Sequence, residues 1–180
     1  MSGLTSTALI THTAALRPHP GGDPVRNAVK LAALTLARRV QHINTEIAGL
    51  DRQITVLVNA TAPGLLEIYG VGADTAAILL VAAGDNAGRL RSEAAWAKLC
   101  GVAPIPAGSG KTNGRHRLNP GGNRQANHAL WRIVLTRLGQ HEPRTVAYMH
   151  RRLAQGRTKP EIIRALKRYV AREIYPQLTA

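Results

Sequence analysis

The chain reads as an all-α protein, a long coiled-coil helix followed by a compact helical domain that contains a helix-hairpin-helix-like motif. Three observations predict this class. An unbroken heptad stripe runs through the first third of the chain. The remaining apolar residues recur at steps of three and four between cap residues and glycines. No segment alternates apolar and polar residues convincingly enough to read as a strand.

At 180 residues the chain has room for one ordinary domain or two small ones. Its charge is the unusual feature, with 24 basic residues against 10 acidic ones, a net +14 and an isoelectric point near 11.3. Such an excess draws a protein to polyanions, of which nucleic acid is the commonest. The excess is concentrated: from Lys111 onward there are fifteen Lys and Arg but only Glu142, Glu161 and Glu173 as carboxylates. The C-terminal part is therefore the expected polyanion-facing surface. A single cysteine, Cys100, excludes a disulfide framework and fits a reducing cytoplasm. The longest apolar run, "AAILLVAA" from Ala76 to Ala83, is far shorter than the roughly 20 residues of a membrane span. No secretory signal pattern opens the chain.

Residues 1–22, rich in Thr, Pro and Gly, read as a disordered lead-in. Asp23-Pro24 then makes a helix start, Asp as N-cap and Pro at the first helical position. Residues 23–60 form the coiled-coil segment. Val29, Ala33, Leu36, Val40, Ile43, Ile47, Leu50, Ile54 and Leu57 step by four and three without a break, and such a seam needs a partner. No second long heptad helix exists in the chain, which favours a homo-oligomer. Residues 64–180 form the helical domain. Within it, 65–85 resembles a helix-hairpin-helix, two helices around Gly70-Val71-Gly72. That turn either presents backbone N–H groups of Gly70 and Gly72 to a DNA phosphate or simply joins two helices, and the net charge favours the phosphate. A short helix from Ser92 to Gly101 precedes the loop 104–122. Helices over 123–178 follow; in the first, from Asn123 to Gln140, Ala126, Leu130, Ile133, Val134 and Leu138 form one apolar stripe, with Arg124, Arg132 and Arg137 around its margins. A third helix fits Arg144 to Gln155. The last begins at Thr158, with Glu161 completing a capping box; it buries Ile162, Leu166, Tyr169 or Val170, and Ile174, and displays Arg164, Lys167, Arg168 and Arg172.

The loop "PIPAGSGKTNGRHRLNPGGNR", Pro104 to Arg124, carries the candidate chemistry. Gly-Lys-Thr suggests a nucleotide loop, but Ile105 stands where that motif needs glycine, Pro106 stiffens the turn, and no strand precedes it. A Ser-His-acid triad is equally unsupported, because no carboxylate lies near His116 and no strand-to-helix elbow carries the serine. Two readings remain open. In one, Lys111, Arg115, Arg117 and Arg124 clamp phosphates and Ser109 only hydrogen-bonds to them. In the other, Ser109 attacks a phosphodiester, with small Gly108 and Gly110 admitting the DNA backbone and cations stabilising the crowded phosphate. Lys167 and Arg168 extend the basic surface.

The order of these motifs, from the heptad helix through "GVGADTAAILLVAAGD" and "RSEAAWAKLCGVAPIPAGSGKTNGRHRLNPGGNRQANHALWRIVLTRL" to "RTVAYMHRRLAQGRTKPEIIRALKRYVAREIY", resembles the C-terminal half of transposases of the insertion sequence 110 family, the bridge-RNA-guided DEDD recombinases. The resemblance runs from roughly residue 16 to the C-terminus. It implies a coiled-coil linker and a transposase domain whose serine, here Ser109, bonds transiently to DNA during strand exchange. It further implies a multimer holding target DNA, donor DNA and a guide RNA, in the bacterial cytoplasm at the nucleoid. Family members often have Ser-Ser-Gly where this chain has Gly108-Ser109-Gly110. They also carry an N-terminal RuvC-like domain with an Asp-Glu-Asp-Asp metal site. None of the ten carboxylates here stands in a paired-acid arrangement ahead of the linker. The expectation is therefore a fragment with no cofactor of its own, a divalent metal such as Mg belonging to that other half. Such a fragment would bind DNA or RNA in a salt-sensitive way without completing recombination. The alternative is a non-enzymatic helical DNA- or RNA-binding or oligomerisation module.

Overall fold

A computed structural model of the chain describes residues 5–19, 21–84, 88, 90–108, 116–117 and 119–178. The architecture is all-α, with eight helices among the described residues. They are α1 (Ser6–Ala14), α2 (Pro24–Thr61), α3 (Gly64–Glu67), α4 (Ala73–Ala83), α5 (Glu93–Leu99), α6 (Arg124–Gly139), α7 (Pro143–Ala154) and α8 (Lys159–Leu178). One two-residue ladder, β1 (Ile105–Pro106) paired antiparallel with β2 (His116–Arg117), closes the base of the long loop. No helix among the described residues is long and apolar enough to cross a membrane.

The chain divides into two compact units, residues 1–53 and 54–180. In the first, the lead-in expected to lack order contains α1. The correction has a local cause. Thr5 caps the helix by accepting from the Ala8 N–H, and the turns that follow bury no side chain. Asn27 then ties residue 19 to the start of α2, its Nδ2 donating to the His19 carbonyl at 2.8 Å and its Oδ1 accepting the His19 N–H at 3.0 Å. Asp23 caps α2 through Val25 N–H, as its sequence predicts. The helix runs unbroken through Gly49, and the seam residues Val29, Leu36, Val40, Ile43, Ile47 and Leu50 are all exposed.

In the second unit α6 is the central element. It packs on α4 and α8, with α5 and α7 also against α8. Ala126, Ala129, Leu130, Ile133 and Val134 are fully buried. They meet Leu65, Leu79, Trp96, Ile162, Val170 and Ile174 in one core. On α8 the structure chooses Val170 over Tyr169, which is 46% exposed. Of the expected capping box the Glu161 half forms, its carboxylate accepting from the Thr158 N–H, while Thr158 Oγ1 donates to that same carboxylate. Cys100 lies in this core, and burial pushes its thiol up to about 12, so it behaves as a small apolar side chain.

Arg137 departs from its expected place at the margin of α6. It is 7% exposed because it continues the buried stripe of that helix, eleven residues after Ala126. Its Nε donates to the Tyr69 carbonyl at 2.9 Å and its Nη2 to Glu173 at 2.7 Å, so one side chain joins the α3–α4 turn to α6 and α8. Gly70 makes room for it. At φ +81 a side chain there would be strained, and its Cβ would press on Arg137 Cγ at 3.1 Å. Arg137→Ala should lower the unfolding free energy by about 2 kcal/mol in urea denaturation, since it removes a buried guanidinium and strips the partly buried Tyr69 carbonyl and Glu173 of their donor. Arg137→Lys should recover only part of that loss, because an ammonium lacks the guanidinium fork.

Candidate nucleic-acid interface at the stem of the serine loop

The loop that carries Ser109 rises from a stem built by α5 and α6. Ser92 caps α5 through Ala95 N–H, and the helix ends at Gly101, whose φ is +66. Gly122 meets it from the other side. A Cβ on Gly122 would overlap the Gly101 backbone, and one on Gly101 would sit 3.2 Å from Gly122 Cα. This approach lets the Asn123 N–H donate to the Leu99 carbonyl at 2.6 Å. Asn123 in turn caps α6 through Ala126 N–H. Asn119 adds a second tie, its Nδ2 donating to the Lys98 carbonyl at 3.1 Å while its Oδ1 accepts the Gly121 N–H.

Asn127, one turn into α6, links this stem to α8. Its Nδ2 donates to the Cys100 carbonyl at 2.8 Å, and its Oδ1 accepts from Lys167 Nζ at 2.7 Å. Lys167 is thereby held at the mouth of two adjoining clefts that share Gly101, Asn119, Asn127 and Lys167. Arg124, His128 and Trp131 complete one, of about 320 Å³; Pro104, Arg164 and Arg168 border the other, of about 490 Å³. Among the described residues, no carboxylate lines either cleft. His128 and Trp131 stack with ring centroids 5.3 Å apart, giving the first cleft an aromatic wall. Burial, then the neighbouring Arg164 guanidinium, lowers the Lys167 ammonium below its ordinary range. A cation so placed, hydrogen-bonded to a neutral amide and in no ion pair among the described residues, is arranged to meet an anion.

The sequence-predicted site residues separate into groups. Arg124 and Lys167 come together in the first cleft. Arg117 is exposed on β2, at the base of the loop. Arg168 borders the second cleft, yet its guanidinium is engaged by Glu93, Nη2 lying 2.9 Å from Oε2. Ser109, Lys111 and Arg115 lie outside the described residues. Gly70 and Gly72 sit elsewhere, in the α3–α4 turn, where Val71 N–H donates to Ile68 and Gly72 N–H to Thr75 Oγ1. Asp74, in the first turn of α4 and ion-paired with Arg132, already places a carboxylate at that helix N-terminus. Asn127, His128 and Trp131 escaped sequence reasoning. Their spacing along α6 was visible, but their convergence with Lys167 depends on α8 packing across α6.

Among the described residues, no three His, Cys, Asp or Glu side chains gather as a metal site would require. These residues therefore do not fit the metal of a RuvC-like centre, and no step here runs through one.

Because Lys167 discharges at lower pH than an ordinary lysine, duplex DNA affinity should begin falling earlier on the alkaline side than free lysine titration predicts. Lys167→Arg should remove that early fall while keeping affinity at neutral pH, as read by fluorescence anisotropy from pH 7 to 10. An identical alkaline profile in both proteins would detach Lys167 from DNA.

Residues 62–150 match the family described as "Transposase IS116/IS110/IS902 family". Over 147 residues the chain is 29% identical to the insertion element IS110 uncharacterized 43.6 kDa protein of Streptomyces coelicolor, a stretch covering 81% of this chain and 36% of that protein. The chain thus spans little more than a third of the length of the curated relative it matches. The matched residues run from the end of α2 through the stem, the loop and α6 into α7. Through residues 62–150, just under half of its length, the chain is thus similar to the transposase IS116/IS110/IS902 family.

Proposed function

We propose that the chain supplies the DNA-engaging and strand-transferring part of an insertion-sequence transposase, with Ser109 as nucleophile. The observation that supports this reading is the cleft bordered by Arg124 and Lys167, whose described lining holds no carboxylate. It lies where the loop containing Ser109 rejoins α6, and a pair of cations there suits a phosphodiester whose charge needs offsetting. In the step, Ser109 Oγ attacks phosphorus and loses its proton, and the deoxyribose oxygen leaves with one. The phosphoserine keeps the bond energy until a second strand's hydroxyl reverses the exchange. A guide RNA would be a further polyanion for the same basic half of the chain.

The test supplies the chain together with the acidic RuvC-like segment of a family relative and a nicked duplex carrying an element end. A covalent protein–DNA species should form, yield phosphoserine at Ser109 on peptide mapping, and vanish in Ser109→Ala. Equal adduct in Ser109→Ala contradicts the nucleophile. Binding that survives with no adduct in either protein supports the non-enzymatic module instead.

We also assign α2 to self-association, supported by its exposed seam and by a heptad repeat that requires a facing helix. Replacing Ile43 and Ile47 with Asp should convert an oligomer to monomer in sedimentation velocity without altering the thermal transition of the 54–180 unit. A wild-type chain that sediments as a monomer at tens of micromolar would contradict this assignment.

A further inference from the structure

The face of the 54–180 unit formed by α6, α7 and α8 holds a further cleft, of about 300 Å³, that shares no lining residue with the stem clefts. Aromatic residues make up only 3% of the chain, yet two of its four tyrosines converge here. Tyr148 and Tyr169 meet edge to face, centroids 5.4 Å apart and planes at 75°. Tyr169 keeps 46% of its surface exposed, enough ring for another flat group to stack on. Arginines surround the pair: the Arg151 guanidinium lies 5.3 Å from the Tyr148 centroid and that of Arg172 5.9 Å from the Tyr169 centroid.

The charges of the cleft are arranged unevenly. Its two carboxylates are spent inside the protein. Glu173 accepts from Arg137, and Glu142 accepts from the Arg144 and Thr145 N–H groups as the cap of α7. Burial alone would raise the Glu142 carboxyl, but the hydrogen bonds from Thr145 and Arg144 and the Arg137 charge outweigh it and hold the group low. Arg144 and Arg151, which also line the cleft, have no ion pair among the described residues. The cleft therefore offers carboxylates already hydrogen-bonded within the protein, suited to the edge of an uncharged ring, beside two arginines without ion pairs, suited to phosphate. A volume near 300 Å³ lies at the small end of ligand clefts and suits one base rather than a duplex.

We infer that this cleft binds an unpaired nucleotide of a nucleic-acid strand, its base stacked on Tyr169 and its phosphates held by Arg144 and Arg151. Stacking platforms flanked by cations are how proteins hold single strands without reading sequence. Strand exchange and a guide RNA both provide unpaired bases, so DNA and RNA share the chemistry the cleft recognises. The inference stands apart from Ser109, and only its biological use rests on the transposase reading.

The experiment measures anisotropy of the whole 180-residue chain with labelled 12-nucleotide DNA, 12-nucleotide RNA, an abasic 12-unit strand and a 20-base-pair duplex. Tyr169→Ala should weaken single-strand binding about tenfold, the loss of one base–aromatic stack, and Tyr169→Trp should restore it. Abasic-strand and duplex affinities should stay within about twofold. Loss confined to DNA or to RNA names the source, and equal loss on both assigns a sugar-blind site. Lys167→Gln, run alongside, reports on the stem through duplex binding, so a failure there is separable from a failure here. Unchanged single-strand affinity in Tyr169→Ala overturns the inference, leaving an aromatic side chain of a protein partner as the occupant. A loss of equal size on the abasic strand or the duplex overturns it too.

Discussion

The close approach of Gly101 and Gly122 is the constraint on which the candidate interface depends. Two backbones touch where neither residue has a side chain, and the hydrogen bonds of the stem can form only at that distance. Asn123 reaches Leu99, Asn119 reaches Lys98 and Asn127 reaches Cys100. The last of these also holds the Lys167 ammonium. A loop whose ends are fixed by backbone contacts can carry polar and cationic residues without a core of its own. Its entropy of closure is met at the stem, where Ile105 and Pro106 pair with Arg117 and His116.

A single helix supports both clefts. The buried face of α6 fixes its position against α4 and α8. Its first turns then present Arg124, Asn127, His128 and Trp131 to the stem, while Arg137 near its end ties down the floor of the tyrosine cleft. The two clefts differ in their carboxylates. Among the described residues the stem clefts are lined by none, which suits the phosphate backbone, whereas the tyrosine cleft has two that are hydrogen-bonded within the protein, which suits a neutral base. Partner chemistry follows from that difference more directly than from the net charge of the chain.

Much of this fold was legible in the sequence because its signals are local. Asp23-Pro24, Ser92, Asn123 and the Thr158–Glu161 box each mark a helix start through a side chain one to three residues from the N–H it caps. The stripe on α6 was likewise readable at its spacing of three and four. The site was less so. Arg137 was assigned to a margin by its charge, although its spacing placed it on the buried face. Gly101, Gly122 and Asn127 are unremarkable in sequence, since what makes them important is contact between segments about twenty to forty residues apart. Residues 6–14 became a helix without an amphipathic pattern to announce it; the Thr5 cap is the local signal that marks its start.

The most direct test of this account is a pair of neighbouring glycines. In Gly122→Ala the new methyl meets the Gly101 backbone, whereas in Gly121→Ala it faces only Asn119 Oδ1 at an ordinary 3.6 Å. Duplex DNA affinity measured on both, at a temperature where melting curves show each folded, should fall at least tenfold in Gly122→Ala and stay near wild type in Gly121→Ala. Wild-type affinity in a folded Gly122→Ala protein would show that the stem does not position the cations that engage DNA.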